Sequence, residues 1–267
     1  MLDPSAVSAV FSDLREEGAD LESLVSELPA PAWAKPTPAP RWTIAHQIAH
    51  LHWTDRAALL SLTDSPGFAR MAEEAVKAPD SFVDEGAEQG AALPPAELLA
   101  RWRAGRAALD AALAAAAPDA RFPWYGPPMK AASMASARLM ETWAHGQDVA
   151  DALGVRRTPT ARLRHVARIG VRARDYAFGV RGLPAPAAEF RVDLEPPGGG
   201  EPWAYGPSDA AQRVTGPALD FCLLVTRRAH RTDLALTAVG PDADRWLDIA
   251  QAFAGPAGPG RAPGTAR

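Results

Sequence analysis

The stretch Glu141-Thr142-Trp143-Ala144-His145 decides how this sequence is interpreted. It lies within residues 133–153, whose apolar spacing predicts a helix. The i,i+4 spacing of Glu141 and His145 puts a carboxylate and an imidazole on one face of that helix. A second predicted helix, much earlier in the chain, contains Ala49-His50-Leu51. Together with His50, the two side chains could bind one divalent ion and leave a coordination position open, as a catalytic zinc requires.

Two further histidines lie beside His50 in the sequence. His46 shares a helix face with His50, so it either competes for the ligand role or assists the site, and we predict it as a candidate catalytic base. His52 would point about 200° away from His50 on a helix. Not all three histidines can face one ion, so His50 is the expected ligand from this helix and His46 stays an alternative.

Two aspartates near the predicted ligands carry different expectations. Asp148 follows His145 closely and could accept the free ring N–H of a ligand histidine, or could be an ordinary exposed aspartate near a helix end. Asp55 would lie about 140° round the helix from His50. We predict that Asp55 is a solvated charge.

Four long amphipathic segments predict an N-terminal four-helix bundle. They cover residues 4–28, 44–62, 94–116 and 133–153, and the second and fourth carry the predicted ligands. The polar stretch between the second and third predicts one short helix containing Phe68 and Met71, followed by a loop. A proline-rich loop before the fourth helix contains Trp124 and Tyr125, which either line a pocket or hold the loop against the core.

The pattern changes after residues 154–159. Residues 160–180 are still predicted to be helical, and strands appear after them. Residues 189–195 alternate polar and apolar side chains, and a glycine-rich turn leads to a short return strand at 203–206. We predict an α+β protein with the bundle at 1–156 and a smaller α/β domain at 157–254. The glycine- and proline-rich residues 255–267 are predicted to be a disordered tail.

Composition excludes several classes of function. The formal net charge of −4 leaves no large basic field for nucleic acid. No apolar run is long enough to span a bilayer, so we predict a cytoplasmic protein without a membrane partner. We also predict a monomer or homodimer that acts on a small molecule. The single cysteine, Cys222, lies in an apolar run and is predicted to be a buried small side chain.

The chain resembles the DinB-like, mycothiol-dependent maleylpyruvate isomerase superfamily. The resemblance rests on Trp42-Thr43, on Ala49-His50-Leu51 and on Glu141 and His145, while Val214–Phe221 is more similar to a branch described only as metal-binding. It implies a helical bundle with a sterol-carrier-like second domain. It also implies that His50, Glu141 and His145 bind a divalent ion, zinc first, with mycothiol as a possible second cofactor.

The resemblance implies thiol chemistry at the metal. In such proteins a thiolate adds to a conjugated alkene, rotation follows about the new single bond, and elimination returns the trans product. An arginine after the apolar helix of the second domain would hold the substrate carboxylate, and we favour Arg228 over Arg227 for that role. Three other functions stay open. The protein could transfer a thiol to an electrophile, act as a hydrolase or lyase that uses metal-bound water, or be a metal-containing carrier of an apolar ligand.

Overall fold

The computed structural model describes residues 4–79 and 81–265. Its first half is helical, with elements α1 to α6 at Pro4–Val25, Ile44–Thr63, Ser65–Lys77, Phe82–Ala91, Pro95–Ala115 and Ala131–Leu153. The four long helices α1, α2, α5 and α6 pack on one another as a bundle, as predicted. Thr43 is the N-cap of α2, and Gly154 ends α6 in the left-handed conformation, with φ of 69°.

Apolar side chains from the long helices form the core beneath α2. Leu21, Ile48, Leu98 and Trp102 are all fully buried in one cluster that also includes Val149 of α6. Because α2 contributes to this cluster along one side, its position beside α6 is fixed by packing. The core therefore sets the spacing between the two helices that carry the predicted metal ligands.

The prediction of a loop after the short helix is wrong, because the chain forms a second helix there. This helix, α4, packs directly on α2. Gly86 faces the Trp53 ring, and a Cβ at Gly90 would come 2.7 Å from Cβ of Ala49. Glycine lowers intrinsic helix propensity, so the local sequence favours a loop, but here the absent side chains allow two helices to approach closely.

The second half contains helices α7 at Leu163–Arg172 and α8 at Arg174–Gly179, then a four-stranded sheet. The strands are β1, β2, β3 and β4 at Phe190–Glu195, Trp203–Tyr205, Gln212–Pro217 and Thr237–Val239. Their order is β2-β1-β3-β4, in which β1 is antiparallel to β2 and parallel to β3. The predicted hairpin and the α+β class are confirmed, whereas β3 was not predicted as a strand.

Two helices of the second half end where the chain makes turns or tertiary hydrogen bonds. Helix α9, Ala218–Val225, ends before Arg227, which has a left-handed φ of 61°. Helix α10, Pro241–Ile249, ends where the chain turns so that the Ala252 N–H donates to the Val225 carbonyl at 2.8 Å. Tertiary hydrogen bonds and turn geometry, rather than local propensity, set both ends.

The chain divides into two compact units, Met1–Arg156 and Arg157–Arg267. Residues 255–265, where the composition predicts disorder, have no regular secondary structure but are hydrogen-bonded within the second unit. The Gly255 N–H donates to Tyr176 Oη at 3.1 Å, and the Gly264 N–H donates to Asp233 Oδ1 at 2.9 Å. Within the described residues, no helix is long and apolar enough to cross a membrane.

Candidate metal centre

The structure brings His50 of α2 together with Glu141 and His145 of α6. Glu141 Oε2 lies 3.3 Å from Nε2 of His50 and 3.3 Å from Nε2 of His145. One ligand atom from each residue lies within 4.8 Å of the others, and no other group of this kind occurs in residues 4–79 and 81–265. The three side chains predicted from the helix spacing therefore meet at one point of the bundle.

Burial and charge at this cluster suit a divalent cation. The side chains of His50, Glu141 and His145 are 8%, 23% and 12% exposed. Although burial alone would raise the pKa of Glu141, hydrogen bonds and charge from His145 and His50 hold that pKa well below its usual range. Two imidazole nitrogens and an ionised carboxylate form a ligand set typical of catalytic zinc, so the residues fit the implied metal.

Tryptophan rings surround the two imidazoles. The Trp42 ring is stacked with His145 at 5.9 Å between centroids and tilted against His50 at 5.2 Å. Trp42 is itself held by α4, because its Nε1 donates to Asp84 Oδ1 at 3.0 Å. Trp53 lies 6.3 Å from the His50 ring on the same helix. These contacts limit the motion of the imidazoles and shield them from water.

Gln47 is a functional candidate that the sequence analysis missed. It is fully buried, and its Oε1 lies 2.5 Å from His145 Nδ1. Because a carbonyl oxygen can only accept, Gln47 accepts the Nδ1–H of His145. Asp148 is buried, so the alternative of an exposed aspartate is wrong, and its role beside a ligand histidine stays a prediction. The sequence signal that could have identified Gln47 is its position. Gln47 lies three residues before His50 and hence on a neighbouring face of α2.

His46 lies outside the ligand cluster, with partners on both ring nitrogens. The Thr43 N–H donates to His46 Nδ1 at 3.3 Å, and Thr43 Oγ1 is 2.8 Å from the same nitrogen. On its other side His46 Nε2 is 2.8 Å from Glu88 Oε2 of α4. These contacts form a capping arrangement at the start of α2. A catalytic role for His46 stays a prediction and would require one of these hydrogen bonds to break.

The prediction that Asp55 is a solvated charge is wrong. Its carboxylate accepts a hydrogen bond from Arg138 Nε at 2.9 Å, and the two side chains are only 5% and 2% exposed. Arg138 lies one turn before Glu141 on α6, while Asp55 lies just beyond His50 on α2. The buried ion pair therefore joins the two helices that carry the ligands. His52 lies on another side of α2, where burial lowers its pKa.

The aromatic loop packs onto α3. Trp124 is stacked on the buried Phe68 ring at 5.7 Å, and Tyr125 is tilted against Phe68 at 5.2 Å. Burial raises the pKa of Tyr125 to about 12. Of the two alternatives left open by the sequence, these contacts support the one in which the rings hold the loop against the bundle.

The remaining predicted residues lie in the second unit. Arg228 follows α9, and its Nη1 donates to the Thr226 carbonyl at 2.7 Å. A role for Arg228 in holding substrate stays a prediction. Cys222 is fully buried, with Sγ 3.5 Å from the Leu163 carbonyl, and burial raises the pKa of its thiol. This agrees with the predicted structural role of Cys222 and argues against a nucleophile.

Two family models match this sequence. The model described as mycothiol maleylpyruvate isomerase N-terminal domain matches residues 14–150, which include all three clustered ligands. A second model, described as wyosine base formation, matches residues 187–239 in the second unit. The first match spans the bundle, from α1 to the end region of α6, so the family assignment concerns the part of the chain that contains the candidate metal centre.

Two relatives and two solved structures are similar to this chain over most of its length. Uncharacterised proteins from two strains of Mycobacterium tuberculosis are 58% identical over 261 residues, which is 98% of this chain and 100% of each relative. The crystal structure of the mycothiol-dependent maleylpyruvate isomerase superposes with a TM-score of 0.59 at 17% identity, covering 88% of this chain and 95% of that one. A mutant of the same enzyme gives 0.58. At this identity the superposition demonstrates a shared fold.

Proposed function

Because the chain belongs to the mycothiol maleylpyruvate isomerase N-terminal domain family, we propose that it is a metal-dependent enzyme that uses a low-molecular-weight thiol. The reaction would be isomerisation of a small electrophile or S-transfer to it, with mycothiol as the thiol. The observation that carries the proposal is the convergence of His50, Glu141 and His145 on one point. A cytoplasmic location and a monomeric or homodimeric state belong to the same proposal.

His50, Glu141 and His145 would hold the ion, zinc first. When bound, a divalent ion at three protein ligands supplies a Lewis acid that lowers the pKa of a thiol or of water. The ionised carboxylate of Glu141 would offset part of the positive charge, and the Trp42 ring would keep water from one side of both imidazoles. The chain thus contributes a charged set of ligands that is partly shielded from solvent and is held on two packed helices.

Arg228 is the proposed anchor for a substrate carboxylate. A guanidinium can form two parallel hydrogen bonds to a carboxylate, which the ammonium group of lysine cannot reproduce. Arg228→Lys should therefore raise KM although the charge is kept, by a factor that corresponds to about 1 to 3 kcal/mol for a lost charged hydrogen bond. An unchanged KM would contradict this role and leave Arg228 as a structural residue beyond the end of α9.

The decisive experiment measures turnover by the metal-loaded protein with and without mycothiol. Maleylpyruvate and a small panel of enoyl and epoxide electrophiles serve as substrates, and Glu141→Ala and His50→Ala serve as variants without a complete ligand set. We expect thiol-dependent turnover that both variants lose while their circular dichroism stays helical, because apolar packing supplies most of the helix stability. Turnover without thiol would favour a hydrolase or lyase, and saturable binding of an apolar metabolite without turnover would favour a carrier.

A further inference from the structure

The two ligand histidines are held in different ways. His145 Nδ1 lies 2.5 Å from Gln47 Oε1, whereas Nδ1 of His50 is buried and has no hydrogen-bond partner among the residues that the structure describes. Gln47 is itself bound, because its Nε2 donates to Thr37 Oγ1 at 2.9 Å. Thr37 Oγ1 in turn donates to the Trp42 carbonyl at 2.8 Å.

The donor and the acceptor of each hydrogen bond in this series follow from the last acceptor, the Trp42 carbonyl. The Trp42 carbonyl can only accept, so the Thr37 hydroxyl must donate to it and accept from Gln47. Gln47 therefore presents its NH₂ group to Thr37 and its carbonyl oxygen to His145. A carbonyl oxygen can only accept, so the proton of neutral His145 lies on Nδ1. The lone pair of the ring is then left on Nε2, the nitrogen that lies 3.3 Å from Glu141.

Position reinforces this assignment. Gln47 and Thr37 belong to α2 and to the connector before it, and the same connector ends at Trp42, whose ring is stacked on His145. The hydrogen-bond chain and the stacked ring thus fix the same imidazole from its edge and from its face. Gln47 is fully buried, so water does not compete for the amide.

We propose that Gln47 is a positioning residue that selects the Nδ1–H tautomer of His145 and so prepares Nε2 to bind the metal. The partner is a neutral amide, which orients the ring without adding a charge beside the ligand set, unlike the carboxylate that often takes this place. This inference rests on the metal site of the proposed function and does not depend on which thiol or substrate is used.

The test compares Gln47→Leu with a matched control, Gln147→Leu. Gln147 is a partly buried glutamine of the same bundle, and its Nε2 donates to Asp151 Oδ1 on its own helix at 2.8 Å. Zinc affinity is measured by competition with a chromophoric chelator, and the tautomer of His145 is read from its imidazole ¹⁵N chemical shifts in metal-free protein. We expect Gln47→Leu to lose about 10-fold to 100-fold in zinc affinity and to show both tautomers, while the control matches the wild type.

Two more variants keep the inference testable if Gln47→Leu does not fold. Gln47→Glu retains an acceptor, so it should keep the Nδ1–H tautomer and at least the wild-type zinc affinity. Thr37→Val removes the group that orients the amide, so it should weaken zinc binding less than Gln47→Leu would and allow the second tautomer. Wild-type zinc affinity together with wild-type ¹⁵N shifts in Gln47→Leu, or in Thr37→Val if Gln47→Leu does not fold, would overturn the proposal, as would equal losses in Gln147→Leu. Because neither readout involves turnover, an inactive wild type that binds zinc leaves this test intact.

Discussion

Breaking the buried ion pair between Asp55 and Arg138 should destabilise the bundle severely. Asp55→Leu would leave a guanidinium buried without its carboxylate, and Arg138→Met would leave a buried carboxylate alone. With both side chains at most 5% exposed, water cannot compensate, and we expect each single change to cost about 3 to 5 kcal/mol of unfolding free energy. The double variant places two apolar side chains together, so it should cost much less than the sum, with a coupling energy of about 2 kcal/mol or more.

Urea unfolding of the metal-free protein, followed by tryptophan fluorescence, measures these free energies. Six of the eight tryptophans lie in the first unit, so the signal reports mainly on the bundle. The control is Arg101→Met, which removes an i,i+4 pair with Glu97 whose side chains are 54% and 44% exposed, and it should cost about 0.5 kcal/mol or less. If the Asp55 and Arg138 variants cost no more than this control, the account of a desolvated pair that joins the ligand helices is refuted.

Three shorter predictions address packing, reactivity and pH. Gly90→Ala would place a methyl group 2.7 Å from the Cβ of Ala49, so it should cost about 1 to 3 kcal/mol in thermal unfolding, and an unchanged Tm would mean that α4 does not pack this closely. Cys222, whose thiol pKa is raised by burial, should not react with a thiol reagent near pH 7 until the protein is unfolded, when one thiol per chain appears. The pKa of Glu141 is lowered in the folded metal-free protein, so the stability it contributes is present above the unfolded value of 4.5 and is lost as pH falls through the folded value. The stability difference between wild type and Glu141→Gln should therefore be larger at about pH 6 than at about pH 3, and a difference independent of pH would contradict the assignment.

Much of the bundle follows from local sequence signals. The apolar spacing of the long helices, Thr43 before α2 and Gly154 after α6 are all local, so the helices could be predicted nearly to their ends. The pairing of Glu141 with His145 is local too, because i,i+4 spacing on a helix puts two side chains on one face. The second half was harder, since β3 lies centrally in the sheet and its strand character depends on partners on both sides.

By itself the sequence determined which residue types could bind a metal and on which helix face each one lies. Tertiary structure alone decided that His50 of α2 meets the pair on α6, that Asp55 is buried against Arg138, and that Gln47 holds His145. It also decided that residues 82–91 form a helix against α2. The physical reason is that helix periodicity is a property of neighbours along the chain, whereas burial, ion pairing and hydrogen-bond partners depend on which helices pack together.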